Sequence, residues 1–325
     1  MNDNELEISI QKLMDVDLHE LGKAIFEARQ ATNLRRDDRT LESVKSALEG
    51  LAEDANHVVI IAKESSQQQV VGSIILYAGF PLMVFSSGWD LVTHPSIDAD
   101  VVVSKLVQSG KSYVEEIGKE RFEFEFDAIT TDHEGLLKAY DKRLLANGMY
   151  KAAEEFHMYL DLEPNMRYDA ILPEDIVLVG MFSIDRDALV KQFFDVFGDS
   201  KDELWIDMTK EQQTVSCNYW FDRNRPLVEE ASYIALKDDK VVGVHIARPD
   251  GETVDVGPVG IHPNYRRQGL ATALFRKSLN VLVSQGYKRV TLDVAVENTP
   301  AYTMYENLGF KKMHKKAFYV WRVQR

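Results

Sequence analysis

Positive charge is scarce in this chain of 325 residues, where 38 Lys and Arg stand against 52 Asp and Glu. The formal net charge of −14 argues against a nucleic-acid-binding surface, because tracking phosphates needs a broad basic face. An acidic chain suits a neutral or cationic partner, while an anionic ligand would need a local basic patch. We therefore expect no nucleic acid among its partners.

Cysteine and long apolar runs are also lacking. The single cysteine, Cys217, cannot form an intrachain disulfide, and we interpret it as a partly buried small residue. The start, MNDNELEISIQ, has neither the basic nor the apolar region of a signal peptide. No window approaches the roughly 18 apolar residues of a membrane span. These absences predict a cytoplasmic protein without a membrane partner.

One pattern is present twice in the chain. Segments His57–Gly79 and Ala231–Gly251 each predict two strands around a polar turn, and both carry VVG at the start of the second strand. Each copy continues with His-Pro, a helix, a strand and a short helix containing a tyrosine: His94 and Tyr140 in the first, His262 and Tyr305 in the second. A helical region precedes each hairpin, over residues 15–29 and 183–197. One fold therefore occurs twice.

The length also favours two domains, since a single core usually serves about 100 to 200 residues. The proline-containing segment EPNMRY, Glu163 to Tyr168, is the expected linker. We therefore predict domains over 1–163 and 168–325. The mixture of hairpins with strand-helix-strand units predicts an α/β or α+β fold in each, with a mixed, mostly antiparallel sheet flanked by helices.

The stretch VGIHPNYRRQGLATALF in the second copy predicts a strand, a loop and a helix that begins near Gln268 or Gly269. The first amides of a helix lack acceptors and, with the helix dipole, favour an anion. Gly269 permits close approach or a positive φ, and Ala271 keeps the first turn small. Arg266 and Arg267 add permanent positive charge. These features predict a phosphate or pyrophosphate cradle.

The strand before this loop, within ETVDVGPVGIHP, is interrupted by Pro258. A proline lacks the N–H of the strand ladder and is tolerated at an edge or a bulge. A bulge redirects neighbouring amides toward another partner. Gly257 and Gly260 would let a ligand approach this backbone closely.

Two motifs in order carry a resemblance to a known family. The residues Arg266, Gly269 and Ala271 in RRQGLA fit the pattern (Q or R)-x-x-G-x-(G or A), and NTPAYTMYENLGF follows about 30 residues later. The second motif supplies Asn298, Ala301, Tyr305 and the pair Gly309-Phe310. From about residue 170 to 325 the chain resembles the GCN5-related N-acetyltransferase (GNAT) family.

The resemblance implies acetyl-CoA as co-substrate and no metal. Loop amides from Arg267 to Thr272 would hold the CoA pyrophosphate, and the pantetheine arm would pair with the strand backbone between two splayed parallel strands. The implied cofactor-binding residues are Val259, Gly260, Ile261, Arg266, Arg267, Gln268, Gly269, Leu270, Ala271, Thr272 and Asn298. Asn298 is also suited to cap the helix that starts at Thr299-Pro300.

The chemistry of acyl transfer needs a proton donor for the thiolate and a base for the amine. Tyr305 matches the family's general acid. Glu252 or Asp255 is the candidate base, with Asp293 and Glu297 on the next strand, although a water chain often replaces a direct base in the family. Glu252 and Asp255 are three apart, so on a regular strand only one of them faces the cleft.

The first copy lacks the cradle. Aligned on His-Pro, Asp98 replaces Arg266 and Val101 replaces Gly269, so this copy is expected not to bind CoA. His-Pro survives in both copies, which favours a structural role for it.

We therefore expect an acyl-CoA-dependent N-acetyltransferase, as a monomer or homodimer, that transfers the acyl group to a small-molecule or peptide amine by direct attack in a ternary complex. The alternative is a non-catalytic acyl-CoA sensor or interaction module. A tandem transferase that uses aminoacyl-tRNA fits the acidic balance less well.

Overall fold

A computed structural model of the chain describes residues 6–31, 40–87, 91–128 and 133–324. It divides into a first unit, Met1–Ala153 with Lys316–Arg325, and a second unit, Glu154–Lys315. Two strands, β7 (Tyr150–Asp161) and β13 (Lys311–Arg322), pass from one unit into the other along the chain. Both units are mixtures of helix and strand, which confirms the predicted fold class.

The first unit contains a mixed sheet in the order β1-β2-β3-β4-β6-β13, with β5 beside β3. The pairs β1/β2, β2/β3, β3/β4 and β3/β5 are antiparallel, whereas β4 and β6 are parallel. The remaining elements of this unit are β1 (Leu6–Lys12), α1 (Leu18–Ala31), α2 (Leu41–Ala52), β2 (His57–Glu64), β3 (Val70–Tyr77), β4 (Met83–Ser87), β5 (Val92–Thr93), α3 (Ala99–Glu116), β6 (Arg121–Ala128) and α4 (His133–Ala146).

Each face of this sheet is covered by a pair of helices. Helices α1 and α2 bury residues such as Ile25 and Leu48 against one face, and α3 and α4 bury residues such as Leu106 and Leu144 against the other. The alternation in RFEFEFDA places the phenylalanines of β6 on the α3 and α4 side. The capping box of Thr40 and Ser43 fixes the start of α2.

The second unit repeats this plan, with strand order β7-β12-β11-β10-β9-β8. Strands β11 and β12 form a parallel pair, and the other pairs in this order are antiparallel. Its elements are β8 (Val177–Val179), α5 (Arg186–Phe197), α6 (Glu203–Asp207), α7 (Lys210–Trp220), β9 (Tyr233–Lys237), β10 (Lys240–Asp250), β11 (Thr253–Ile261), α8 (Leu270–Ser284), β12 (Arg289–Ala295) and α9 (Thr299–Asn307).

Helices again cover both faces of the second sheet. Helices α8 and α9 pack on one face, where Phe275 and Leu279 meet alternate residues of β11 and β12. Helices α5 to α7 pack on the other face over β9 and β10, where Phe193 and Trp205 are buried. Asp185 caps the start of α5 and Gly198 follows its end, close to the helical region 183–197 expected from the sequence.

The two copies share a local irregularity as well as the plan. Val71 is the extra residue of a β-bulge in β3, and Val242 is its counterpart in β10. In both copies the bulged residue accepts the backbone N–H of the His-Pro histidine, at 2.7 Å from His94 to Val71 and 2.9 Å from His262 to Val242. The predicted internal duplication is therefore visible at single hydrogen bonds.

The compact units do not follow the ranges 1–163 and 168–325 expected from the sequence. Ala317 and Tyr319 of the C-terminal strand lie in the core of the first unit. Met166 and Tyr168 of the expected linker pack in the second unit, where the backbone N–H of Tyr168 donates to Asn280 at 2.9 Å. The boundary therefore lies where β7 and β13 change units, because strand pairing decides it and chain order does not.

The single cysteine is fully buried in α7, and burial raises the pKa of the Cys217 thiol to about 12. A thiol held protonated in an apolar core is a poor nucleophile, in line with the structural interpretation. Within the described residues, every helix is too short or too polar to cross a membrane.

Candidate functional site

Strands β11 and β12 separate part-way along their length. They pair only over Thr253–Asp255 and Arg289–Thr291. Beyond this point β11 stays paired with β10 as far as Ile261, and β12 stays paired with β7 as far as Ala295. The facing edges of the two strands are thus unpaired beyond Asp255 and Thr291, which is the splayed parallel pair expected from the sequence.

A bulge lies on β11 beside the gap. His245 pairs with Val259 and Ala247 pairs with Val256, so Gly257 and Pro258 together face the single residue between them on β10. Of the two alternatives that the sequence left open for Pro258, an edge or a bulge, the structure has the bulge. It allows the strand to turn away from β12 without losing its pairing to β10.

The two glycines on this strand have different roles. A Cβ on Gly257 would meet no atom within 4 Å, whereas a Cβ on Gly260 would lie 2.3 Å from the Phe197 ring. Gly260 is therefore required for packing against α5. The sequence-based explanation, close approach of a ligand, is not needed to account for it.

The loop after β11 ends in a helix start that has no side-chain cap. Gly269 is the N-cap of α8 with φ of 81°, and Arg267 also has a positive φ, 58°. The amides of Leu270, Ala271 and Thr272 lie in the first turn, where no intrahelical acceptor exists. Arg267, Gln268 and Gly269 are exposed. This arrangement supplies amide donors, the positive end of a dipole and one exposed guanidinium at the same place.

Arg266, by contrast, is used by the protein itself. Its Nε donates to the Ile261 carbonyl at 2.8 Å, and an Nη nitrogen lies 2.6 Å from an Asp199 carboxylate oxygen. The same side chain reaches the Val196 carbonyl at the end of α5. The guanidinium of Arg266 thus links the loop to β11 and to α5. The side-chain amide of Gln268 donates to the Asn264 carbonyl within the same loop.

Tyr305 lies on α9, with its ring against Phe275 and Phe310. Only 6% of the residue is exposed, and burial raises the pKa of its hydroxyl. The hydroxyl makes no hydrogen bond to any of the residues that the structure describes. A buried phenol that is protonated at neutral pH and has no partner can donate its proton to a ligand atom.

Asn298 and the carboxylates fall into distinct positions. The Asn298 side chain accepts from the Ala301 amide at 3.4 Å and caps α9, as its sequence context indicates. Asp255 accepts from the Thr291 hydroxyl at 3.2 Å, at the last paired position before the gap. Glu252, placed on the strand in the sequence interpretation, lies instead in the turn at the opposite end of β11. Of the two candidate bases, only Asp255 borders the gap.

A histidine that the sequence interpretation missed lies on the same face as Asp255. Nδ1 of His157 on β7 is 2.6 Å from a carboxylate oxygen of Asp293 on β12, its direct cross-strand partner. The His157 ring stacks on His314 at 4.8 Å. His157 precedes Asp293 by more than a hundred residues, so the local pattern gives no signal for the pairing. Only a correct alignment of β7 beside β12 could have found it.

The first unit shows what happens to this arrangement when the loop is lost. His94 makes the same turn as His262: in each, the ring Nδ1 accepts the amide two residues on. Helix α3, however, has its N-cap Asp98 four residues after His94, whereas Gly269 comes seven residues after His262. The residue-by-residue alignment on His-Pro is therefore wrong. Asp98 stands where Gly269 stands, and the arginine-bearing part of the loop is absent.

The start of α3 is also occupied. The Asp98 carboxylate accepts the Asp100 amide at 2.9 Å, and the Asp100 carboxylate pairs with Arg143 at 2.6 Å. Strands β4 and β6 remain paired over all five residues of β4. The described part of the first unit thus has neither an open helix start nor a separated pair of strands.

The match to a known protein family lies within the second unit. A family model described as the Acetyltransferase (GNAT) family matches residues 190–310. Residues 190–310 therefore form a GNAT domain. The match includes the loop before α8 and the helix of Tyr305, so the GNAT motifs coincide with the uncapped helix start and the buried tyrosine.

Individual relatives match over part of the chain. N-alpha-acetyltransferase 30 of Schizosaccharomyces pombe is 36% identical over 86 residues, which are 25% of this chain and 57% of that protein. N-acetyltransferase 8 of Homo sapiens is 30% identical over 125 residues, 36% of this chain and 53% of that protein. The chain therefore spans a little over half the length of these relatives.

The GNAT fold extends over both units. A tandem GNAT protein from the clavulanic acid biosynthesis pathway, solved without AcCoA, aligns with a TM-score of 0.58 at 15% identity, covering 99% of each chain. At this identity the likeness concerns the fold alone. It agrees with the internal duplication seen in the bulges and the His-Pro turns.

Proposed function

We propose that this chain is an N-acetyltransferase that transfers the acyl group of acetyl-CoA to an amine of a small molecule or peptide by direct attack in a ternary complex. The observation that carries the proposal is the uncapped start of α8 beside the gap between β11 and β12. An anionic, extended ligand fits both features at once, since its phosphates need donors and its arm needs an open strand edge.

In this proposal the amides from Arg267 to Thr272 bind the CoA pyrophosphate, and the exposed Arg267 adds charge to it. The pantetheine arm lies along β11 at Val259–Ile261, on the edge of β11 that faces β12 without pairing to it. Support comes from the pairing of β11, which beyond Asp255 has β10 as its only partner strand among the described residues. Arg266 contributes by holding the loop in shape, as its contacts with Ile261 and Asp199 indicate.

Tyr305 is the proposed general acid. Its buried hydroxyl stays protonated because burial raises its pKa, and its lack of a partner among the described residues leaves the proton for the thiolate that departs from the acyl group. The role of Asn298 is then the capping of α9, which holds the tyrosine-bearing helix in place.

We propose that the acceptor is cationic, or that its amine becomes protonated in water. The sheet face beside the gap carries the carboxylates of Asp255 and Asp293, and the chain as a whole is acidic. The name of the S. pombe relative points to α-amines, so peptides with a free N-terminus belong in an acceptor panel together with amino acids, amino sugars and polyamines.

The test is CoA release from acetyl-CoA across this panel, for wild type, the double variant Arg267→Glu with Gly269→Val, and Tyr305→Phe. We expect transfer by wild type, loss of acetyl-CoA binding in the double variant, and retained binding with slow turnover in Tyr305→Phe. Wild type that binds acetyl-CoA but acetylates nothing would favour a sensor instead. Equal binding by the double variant would refute the proposed cradle.

A further inference from the structure

We infer that His157, held by Asp293, is the base that takes the proton from the acceptor amine. This inference rests on the proposed function and assigns one of its steps. The pair joins neighbouring strands: Nδ1 of His157 lies 2.6 Å from the Asp293 carboxylate, and the two residues are directly opposed in register. Their side chains are 18% and 32% exposed, so both are partly shielded and still accessible.

The pair lies beside the gap. Asp293 comes two residues after Thr291, the last residue of β12 that pairs with β11. Residues 290, 292 and 294 of β12 are buried against α8 and α9, so Asp293 faces the opposite side of the sheet. Tyr305 belongs to the α8 and α9 side. The proposed acid and base thus lie on opposite faces at the place where the strands part.

The geometry selects one form of the imidazole. Nδ1–H donates to the Asp293 carboxylate, which leaves Nε2 as the acceptor nitrogen. Nε2 has no hydrogen bond among the described residues, and the stacked ring of His314 restricts rotation of the imidazole. Asp293 is therefore a positioning residue, because it fixes the tautomer and stabilises the imidazolium that forms.

The charges around His157 come from three strands. Asp293 faces it from β12 and His314 from β13, while Glu155 and Tyr159 flank it on its own strand, β7. Imidazole is the side chain that ordinarily changes charge between about pH 5 and 8, so it can accept and release a proton at each turnover.

The proposed step moves two protons away from the acceptor nitrogen. Nε2 of His157 takes one proton from the acceptor ammonium, and the freed lone pair forms the N–C bond to the thioester carbonyl carbon. The C–S bond breaks with its electron pair on sulfur, and Tyr305 protonates the thiolate. The acceptor nitrogen loses a second proton when the amide forms, and this proton replaces the one that the Tyr305 hydroxyl gave to the thiolate. His157 returns its own proton to solvent.

The first test compares His157→Gln and Asp293→Asn with Asp161→Asn. The control breaks a similar ion pair on the same two strands, since Asp161 opposes Arg289 at 2.6 Å near the paired end of β12. For the best acceptor of the panel, kcat should fall about 100-fold in His157→Gln and about 10-fold in Asp293→Asn near pH 7, with acetyl-CoA affinity unchanged. Asp161→Asn should keep kcat close to that of wild type.

The pH profile separates a base from a structural contact. In His157→Gln the deficit should shrink as pH rises, because the free amine becomes abundant without help. A pH-independent deficit, or the same deficit in Asp161→Asn, would overturn the inference and leave the proposed function intact. Failure of wild type to acetylate any amine would overturn both.

A second measurement needs no acceptor. In protein labelled with ¹⁵N at its 8 histidines, the signals lost in His157→Gln identify this ring. We expect Nδ1 protonated and Nε2 bare at mildly alkaline pH, and loss of this preference in Asp293→Asn. An Nε2–H tautomer in wild type would exclude His157 as the acceptor of the amine proton.

Discussion

The starts of helices α3 and α8 differ although both follow the same histidine turn. In the second unit the N-cap Gly269 has no side chain that could accept from the first amides of α8, and the loop before it carries two arginines. In the first unit the carboxylate of the N-cap Asp98 accepts a backbone N–H of α3. A capped helix start has its charge and amide donors already satisfied. The bulge and the histidine turn occur in both units, so we assign them to the fold. The longer uncapped loop occurs in the second unit, and we assign it to ligand binding.

The largest effect should come from giving the second unit the cap of the first. In Gly269→Asp a carboxylate would stand at the start of α8 and repel the CoA pyrophosphate. Aspartate tolerates a positive φ better than most residues, so the fold should survive. Acetyl-CoA affinity, measured by calorimetry, should fall by on the order of 100-fold or more, about 2.7 kcal/mol.

The reverse change is its control. Asp98→Gly removes the cap of α3 at a cost of a few tenths of a kcal/mol, and acetyl-CoA binding should not change. Loop length decides this outcome, because the shorter loop of the first unit brings no arginine to the helix start. A second binding site gained in Asp98→Gly would show that loop length does not matter.

The two tyrosines sharpen the comparison at the next level. Tyr140 in α4 donates its hydroxyl to the Leu91 carbonyl at 3.2 Å, while the Tyr305 hydroxyl has no partner among the described residues. Tyr140→Phe should therefore lower the free energy of unfolding by about 1 kcal/mol without changing kcat. Tyr305→Phe should leave stability unchanged and lower kcat about 100-fold. Thermal unfolding and CoA release measure the two effects, and a loss of stability in Tyr305→Phe would argue for a packing role.

An acid-sensitive position distinguishes the units as well. His245 lies two residues after Gly243, where the first copy has Ile74 two residues after Gly72. It is fully buried, neither ring nitrogen has a partner among the described residues, and burial lowers its pKa from 6.5 to about 3. Below about pH 6.5 the His245 ring is protonated in the unfolded chain but stays neutral in the folded chain. The free energy of unfolding therefore falls as pH falls, until about pH 3.

The slope from this one group is about 1.4 kcal/mol per pH unit. His245→Ile, which copies the first unit, should therefore be about 2 kcal/mol less sensitive to a change from about pH 6.5 to about pH 5. Denaturant unfolding at both pH values gives the difference. An unchanged pH dependence would mean that His245 is solvated or hydrogen-bonded in the folded protein.

The smallest difference concerns the glycines of the two VVG segments. A Cβ on Gly72 would lie 2.3 Å from a Val102 methyl group, whereas one on Gly243 would lie 3.0 Å from the Ile261 Cδ1. Alanine should cost about 2 to 3 kcal/mol at Gly72 and about 1 kcal/mol at Gly243, where the flexible end of the isoleucine can move. Equal costs in denaturant unfolding would show that α3 shifts away more easily than the packing indicates.

Local patterns predicted a good part of this molecule. The repeated VVG and His-Pro located the duplicated bulges and turns, and Gly269 marked the start of α8 within one residue. These features depend on neighbouring residues, such as the N–H of His262 and the carbonyl of Val242. Pro258 likewise indicated an edge or a bulge, since a proline cannot donate to the strand ladder.

Features that depend on distant residues were not accessible in this way. The C-terminal strand follows the second copy in the sequence, and only its packing of Ala317 and Tyr319 assigns it to the first unit. The pair of His157 and Asp293 needs the same knowledge of strand order. The role of Arg266 depended on Asp199, a residue after α5 that the motif does not mention.

We propose above all that the chain has one acetyl-CoA site, at the start of α8. Titration calorimetry of the whole chain with acetyl-CoA tests it directly. We predict one acetyl-CoA bound per chain, and none in the double variant Arg267→Glu with Gly269→Val. Two bound per chain, or one that persists in the double variant, would contradict the account.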